Sequence, residues 1–185
     1  MFARTARLLL RPGFPEDAPA LAAAIGDEAI ARNLANVPWP YSVRDAEAFL
    51  ASPRDPVLPS LLIFERGAGA PQFVGACGLV RRPSGSVEIG YWIARPFWGH
   101  GYATEACTAL LDIARALGLS SLEGSHFHDN PASARVLEKL GFRALGISVP
   151  RVSCARGEDV LARLMRLELG VEQFDEENEK EALAA

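Results

Sequence analysis

With 185 residues, 49% of them apolar, the chain has the length of one domain and enough hydrophobic material for its core. Its formal charge of -4 comes mostly from one end, because residues 172–181 hold six acids and one lysine and leave 17 acids against 18 bases elsewhere; a generally basic nucleic-acid-binding surface is thereby excluded. No apolar run reaches membrane-spanning length, and Cys77, Cys107 and Cys154 suit neither a disulfide framework nor a zinc motif, so a cytoplasmic protein without a metal is expected.

In chain order, residues 5–11 read as a strand and residues 16–25 as a helix with Pro19 in its first turn. The amino terminus carries arginines and an early proline rather than a signal-peptide core. Residues 27–34 can form a second short helix, and Ser42-Val-Arg-Asp45 resembles a capping box that opens a third, to about residue 51. Pro53, Pro56 and Pro59 mark a loop. Residues 61–65 and 73–80 then read as a hairpin around a Gly/Pro-rich turn.

A second hairpin turns near Ser84 and Gly85, with Arg81 and Arg82 expected in solvent, and returns as a strand over residues 87–93. That strand runs through Trp98-Gly-His-Gly101 into a helix over residues 102–117, whose Ala106, Cys107, Leu110 and Ala114 share one face before Gly118 ends it. Residues 122–126 form the next strand and 132–140 a helix stopped by Gly141. Residues 142–149 and 159–168 are the last strands, joined by a loop over 150–159. One domain over residues 1–169 and an acidic tail over 170–185 are expected.

Two glycines before a helix are the makings of an anion site, since glycine lets a ligand approach the backbone and the first helical amides lack partners. No Gly-Lys-Ser/Thr follows Gly101, and no third small residue completes a dinucleotide fingerprint, so both of those phosphate loops are excluded. Downstream, Asn130-Pro-Ala-Ser-Ala-Arg-Val-Leu-Glu-Lys-Leu-Gly-Phe142 opens with an Asn-Pro helix start. His126 and His128 have no third ligand at metal spacing.

Together, residues 88–106 and 130–142 resemble motifs A and B of the GNAT N-acetyltransferase superfamily, and Trp-Gly-His-Gly-Tyr-Ala-Thr-Glu-Ala resembles its RimJ/RimL-type branch. The resemblance covers roughly residues 5–167, with Arg-Leu-Leu-Leu-Arg-Pro at the amino end. It implies an α/β fold: a mixed, mostly antiparallel sheet of six to seven strands with helices on both faces and splayed central strands. It also implies acetyl-CoA as co-substrate, direct acetyl transfer to a primary amine, and no nucleic-acid or membrane partner; a homodimer is left open. The acceptor is expected to be a protein amino terminus or a small amine. An aminoglycoside, a polyamine or another metabolite is the alternative, and a non-catalytic acyl-CoA sensor is a reading of another class.

By resemblance, Trp98, Gly99, His100, Gly101, Tyr102 and Ala103 take the pyrophosphate, and Ile93, Ala94 and Arg95 offer a strand edge to the pantetheine arm. Asn130 both caps its helix and meets the coenzyme, and Arg135 is a candidate for a coenzyme phosphate. Glu88 is the candidate base, on the strand entering the coenzyme turn. Many family members carry a Tyr where this chain has Leu137, and Ser133 is the alternative partner for the departing sulfur. Trp39, Tyr41 and Trp92 are candidates for the acceptor pocket.

Overall fold

The computed structural model describes residues 1–67 and 69–170; the acidic tail expected after residue 170 lies outside the described residues. The strands are β1 (Ala3–Arg4), β2 (Leu8–Arg11), β3 (Ser60–Glu65), β4 (Gln72–Arg81), β5 (Val87–Ile93), β6 (Ser121–Phe127), β7 (Arg143–Ser153) and β8 (Glu158–Glu168). The helices are α1 (Ala18–Ile25), α2 (Glu28–Ala31), α3 (Val43–Ala51), α4 (Tyr102–Ala116) and α5 (Pro131–Lys139). One eight-stranded sheet runs β1-β2-β3-β4-β5-β6-β8-β7, with every neighbouring pair antiparallel except β5 and β6.

Local chemistry sets most of these boundaries. Ser42 and Asp45 form the reciprocal box at the start of α3. Ahead of α1, the buried Asp17 accepts two bonds of 2.7 Å from Arg11 and one of 2.8 Å from the Phe14 amide, tying the helix entry to β2. The Arg11 guanidinium is the main reason that the Asp17 carboxyl sits below its ordinary pKa, against the opposing effect of burial.

Two of the expected elements are corrected. The sheet has eight strands rather than six or seven, because a two-residue strand pairs with β2 at its edge. The expected loop over 150–159 is mostly strand: β7 continues through Pro150 to Ser153, which an edge strand tolerates because its outer amides need no partner.

The larger core lies between the sheet and α4, around the fully buried Leu8, Leu10, Ile63, Val74, Cys107 and Leu110. Cys77 and Cys107 belong to this core; burial pushes the Cys77 thiol up to about 12, as expected of packing groups rather than reactive ones. On the opposite face, the small residues of α1 and Ala46 of α3 let these helices lie close to the sheet, over Phe73 and Trp92. Gly124 of β6 does the same for α5, since a Cβ there would stand 2.9 Å from Leu137 Cδ2 and 3.3 Å from the Phe142 ring. The start of α5 is thereby drawn against the sheet at the point where it opens.

Candidate active site

The opening lies between β5 and β6, which share a single registered pair, Glu88 with Glu123. Ala94 donates its N–H to the Val74 carbonyl at 2.8 Å, so even-numbered residues of β5 pair with β4. The peptide groups of Tyr91 and Ile93 therefore face the gap. The Ile93 carbonyl there accepts a 2.6 Å bond from the Trp98 indole, which leaves its N–H as the donor available to a ligand.

Beyond β5, the chain turns through Gly99 and Gly101, both with φ near +80°, and enters the 15-residue helix α4 without a side-chain cap. The first amides of α4 thus have no partner within the helix and carry its positive dipole end. A Cβ built at Gly99 would meet nothing within 4 Å, and one at Gly101 only Arg7 Nη2 at 3.7 Å, so the space above both glycines is open. A pyrophosphate fits this cradle of unpaired amides.

The turn between β1 and β2 braces the loop. Arg7 donates to the His100 carbonyl at 3.0 Å and to Glu105 at 2.7 Å, and its guanidinium lies 4.5 Å from the centre of the Tyr102 ring. Burial alone would raise the Glu105 carboxyl, yet hydrogen bonds from Thr5 and Arg7 hold it below its ordinary value. Tyr102 closes the network by donating to Glu65.

A continuous cleft of about 870 Å³ joins this cradle to the gap and to α5. Among the residues expected in the site, Glu88, Trp92, Ile93, Trp98, Gly99, Gly101, Tyr102, Ala103, Asn130, Ser133 and Arg135 line it. Ala94, Arg95, His100, Trp39 and Tyr41 stand outside. The Ala94 amide is spent on β4, and Arg95 reaches Asp27 at 3.4 Å. The His100 ring turns back to the Trp98 carbonyl and stacks on Tyr102. Tyr41 packs against α1 and α3.

At one end of the cleft, the Glu88 carboxylate accepts a 2.6 Å bond from Ser125 Oγ and pairs with Arg82 at 2.5 Å and Arg151 at 3.3 Å. Arg82, expected in a solvated turn, instead reaches back along the sheet. Val80 stands opposite Glu88, and Arg82, two residues on, is its diagonal neighbour on the same face.

At the start of α5, Asn130 Oδ1 accepts the Ser133 amide at 3.1 Å, and its side-chain nitrogen donates to no protein group among the described residues. The Ser133 hydroxyl lies 2.9 Å from the Tyr91 hydroxyl, which also reaches the Ser133 carbonyl at 3.0 Å. Burial raises the Tyr91 pKa strongly, keeping the phenol protonated. Sequence reasoning missed Tyr91, although its place in the alternation of β5, next to the coenzyme turn, was a usable signal. It also missed Arg7 and Arg151, whose partners are 98 and 63 residues away.

Residues 7–143 match the family model described as "Acetyltransferase (GNAT) domain". The protein named "Uncharacterized N-acetyltransferase p20" of Bacillus licheniformis is 33% identical over 79 residues, 41% of this chain and 44% of that protein, so the chain spans less than half of that relative's length. Among solved structures, a GNAT-family acetyltransferase from Bacillus anthracis aligns with a TM-score of 0.77 at 20% identity, over 91% of this chain and 99% of the other. RimL, a ribosomal L7/L12 α-N-protein acetyltransferase solved with coenzyme A, aligns with a TM-score of 0.76 at 17% identity, over 93% and 100%. These likenesses establish a shared fold.

Proposed function

The chain belongs to the GNAT acetyltransferase family, and we propose that it transfers the acetyl group of acetyl-CoA directly to a primary amine. The observation that carries this reading is the continuity of one cleft from an uncapped, glycine-lined helix start to a positioned carboxylate. The amides opening α4 hold the pyrophosphate, and Arg135 and Lys139, both lining the cleft on α5, supply charge for a further phosphate. The side-chain nitrogen of Asn130, unpaired among the described residues, and the peptide groups of Tyr91 suit the amides of the pantetheine arm, leaving the Ile93 N–H for the acetyl group.

The chemistry needs a neutral amine. An α-amine of pKa about 8 is roughly one-tenth neutral at pH 7, and a lysine amine near 10.4 is far less so. Glu88 takes the ammonium proton, directly or through a water. The nitrogen lone pair then forms the new C–N bond as the C–S bond breaks, and the Ile93 N–H donates to the acetyl oxygen as it gains charge. The electron pair leaves on sulfur. The Tyr91 hydroxyl has one proton and reaches both the Ser133 carbonyl and Oγ. When that proton goes to the carbonyl, the serine hydroxyl donates to Tyr91; when it goes to Oγ, the serine hydroxyl is free to donate to the sulfur, which a thiol pKa of about 8.5 already makes a fair leaving group.

Acetyl-CoA is expected to raise the melting temperature of the protein, because a ligand that binds only the native state stabilises it by mass action. NAD and ATP should shift it much less. A melting point moved by NAD or ATP and left in place by acetyl-CoA would contradict the assignment.

A further inference from the structure

The charged walls of the cleft are unbalanced. Among the described residues, Arg82, Arg135, Lys139 and Arg151 face two acids, Glu88 and Asp129. Asp129 is committed elsewhere, to a forked pair with Arg156 at 2.8 and 3.0 Å and to Arg32 at 3.5 Å. Arg135 and Lys139 stand on α5, beside the coenzyme cradle. At the far end, one carboxylate remains with two guanidiniums around it.

That end is also short of hydrogen-bond acceptors. A guanidinium has five N–H donors. Arg82 meets Glu88 through Nε as an ion pair, and Arg151 donates to it from Nη2. Neither guanidinium makes another protein hydrogen bond among the described residues, and Nε of Arg151 is buried without a partner there. Buried donors are normally satisfied, and a paired guanidinium fork is shaped for a carboxylate or a phosphate. A second cationic group on the acceptor would instead meet two like charges.

We infer that the amine acetylated by this protein carries a carboxylate or phosphate close to its nitrogen, received by Arg82 and Arg151. This inference rests on the reading of the cleft as an acetyltransferase site. The substrate anion draws a guanidinium away from Glu88, and the freed carboxylate oxygen accepts the ammonium of the same molecule. Acceptor recognition and exposure of the base are then one event. Polyamines and aminoglycosides, which carry several cations and no anion, are selected against.

Two matched series test the inference by the initial rate of CoA release at saturating acetyl-CoA. One holds the amidated tripeptides Ala-Glu-Ala, Ala-Gln-Ala and Ala-Lys-Ala, and the other β-alanine, β-alaninamide and 1,3-diaminopropane. In at least one series, kcat/KM should favour the anion-bearing member over the neutral one by roughly tenfold, with the cationic member slowest. Preference confined to the peptides identifies a protein amino terminus, and preference confined to the small amines identifies a metabolite. Arg82→Gln and Arg151→Gln should each flatten the preference while acetyl-CoA affinity is retained, which also verifies folding. The inference is overturned if neutral or cationic members react as fast, if the preference survives both substitutions, or if no anion-bearing probe reacts while acetyl-CoA binds. Failure of acetyl-CoA to bind the unsubstituted protein would instead remove the acetyltransferase reading itself.

Discussion

Gly101→Val is expected to weaken acetyl-CoA binding by about 100-fold or more while most of the fold survives. The reason is not a clash within the protein, since the new Cβ would meet only Arg7 Nη2 at an ordinary 3.7 Å. It is the backbone angle, φ +80°, which costs an L residue about 1–2 kcal/mol and resists a β-branched side chain most. A valine able to stay there fills the space that the pyrophosphate needs. One that relaxes turns the first amides of α4 away from the cradle. Both routes lose the ligand, and calorimetric titration of the folded variant reads the loss. An unchanged dissociation constant would mean that the anion of the coenzyme binds elsewhere.

Glu88→Gln is expected to keep acetyl-CoA affinity and to lower turnover by about 100-fold or more, with the deficit shrinking as pH rises. The sign follows from the substrate. At low pH the amine is protonated and needs an acceptor for its proton, whereas at high pH it arrives neutral and the missing carboxylate matters less. The substitution also leaves Arg82 and Arg151 facing an uncharged amide, so some loss of stability is expected beside the catalytic loss. Ser133→Ala is the contrast. It removes a donor to sulfur rather than a proton acceptor, so its loss should be nearer tenfold, about 1.4 kcal/mol, and insensitive to pH. Turnover against pH for the two variants separates these roles, and equal, pH-independent losses would reduce Glu88 to a positioning residue.

The parts of this site that the sequence discloses are those whose physics is local. Gly99 and Gly101 announce the turn, Asn130 and Pro131 announce the start of α5, and the Ser42 and Asp45 pair announces α3, because each acts on residues within a turn of itself. Glu88 was visible as a carboxylate on the strand leading into the loop. What surrounds it was not. Arg151 is 63 residues away and comes from a strand whose own extent was hidden, since Pro150 reads as a loop until β7 is known to be an edge. Arg82 looked solvated because a turn dipeptide shows nothing of its diagonal neighbour across the hairpin. The resemblance places Trp39 and Tyr41 near the acceptor, while Ala29, Ile30, residues 33–36 and Arg151 form walls of the cleft instead.

Direct acetyl transfer is tested by one reaction. Unsubstituted protein, acetyl-CoA and an anion-bearing amine should yield acetylated amine and free CoA in equal amounts, followed together by mass spectrometry and thiol release. Bound acetyl-CoA that is hydrolysed or left intact, with no acetylated amine formed from any primary amine supplied, would contradict it.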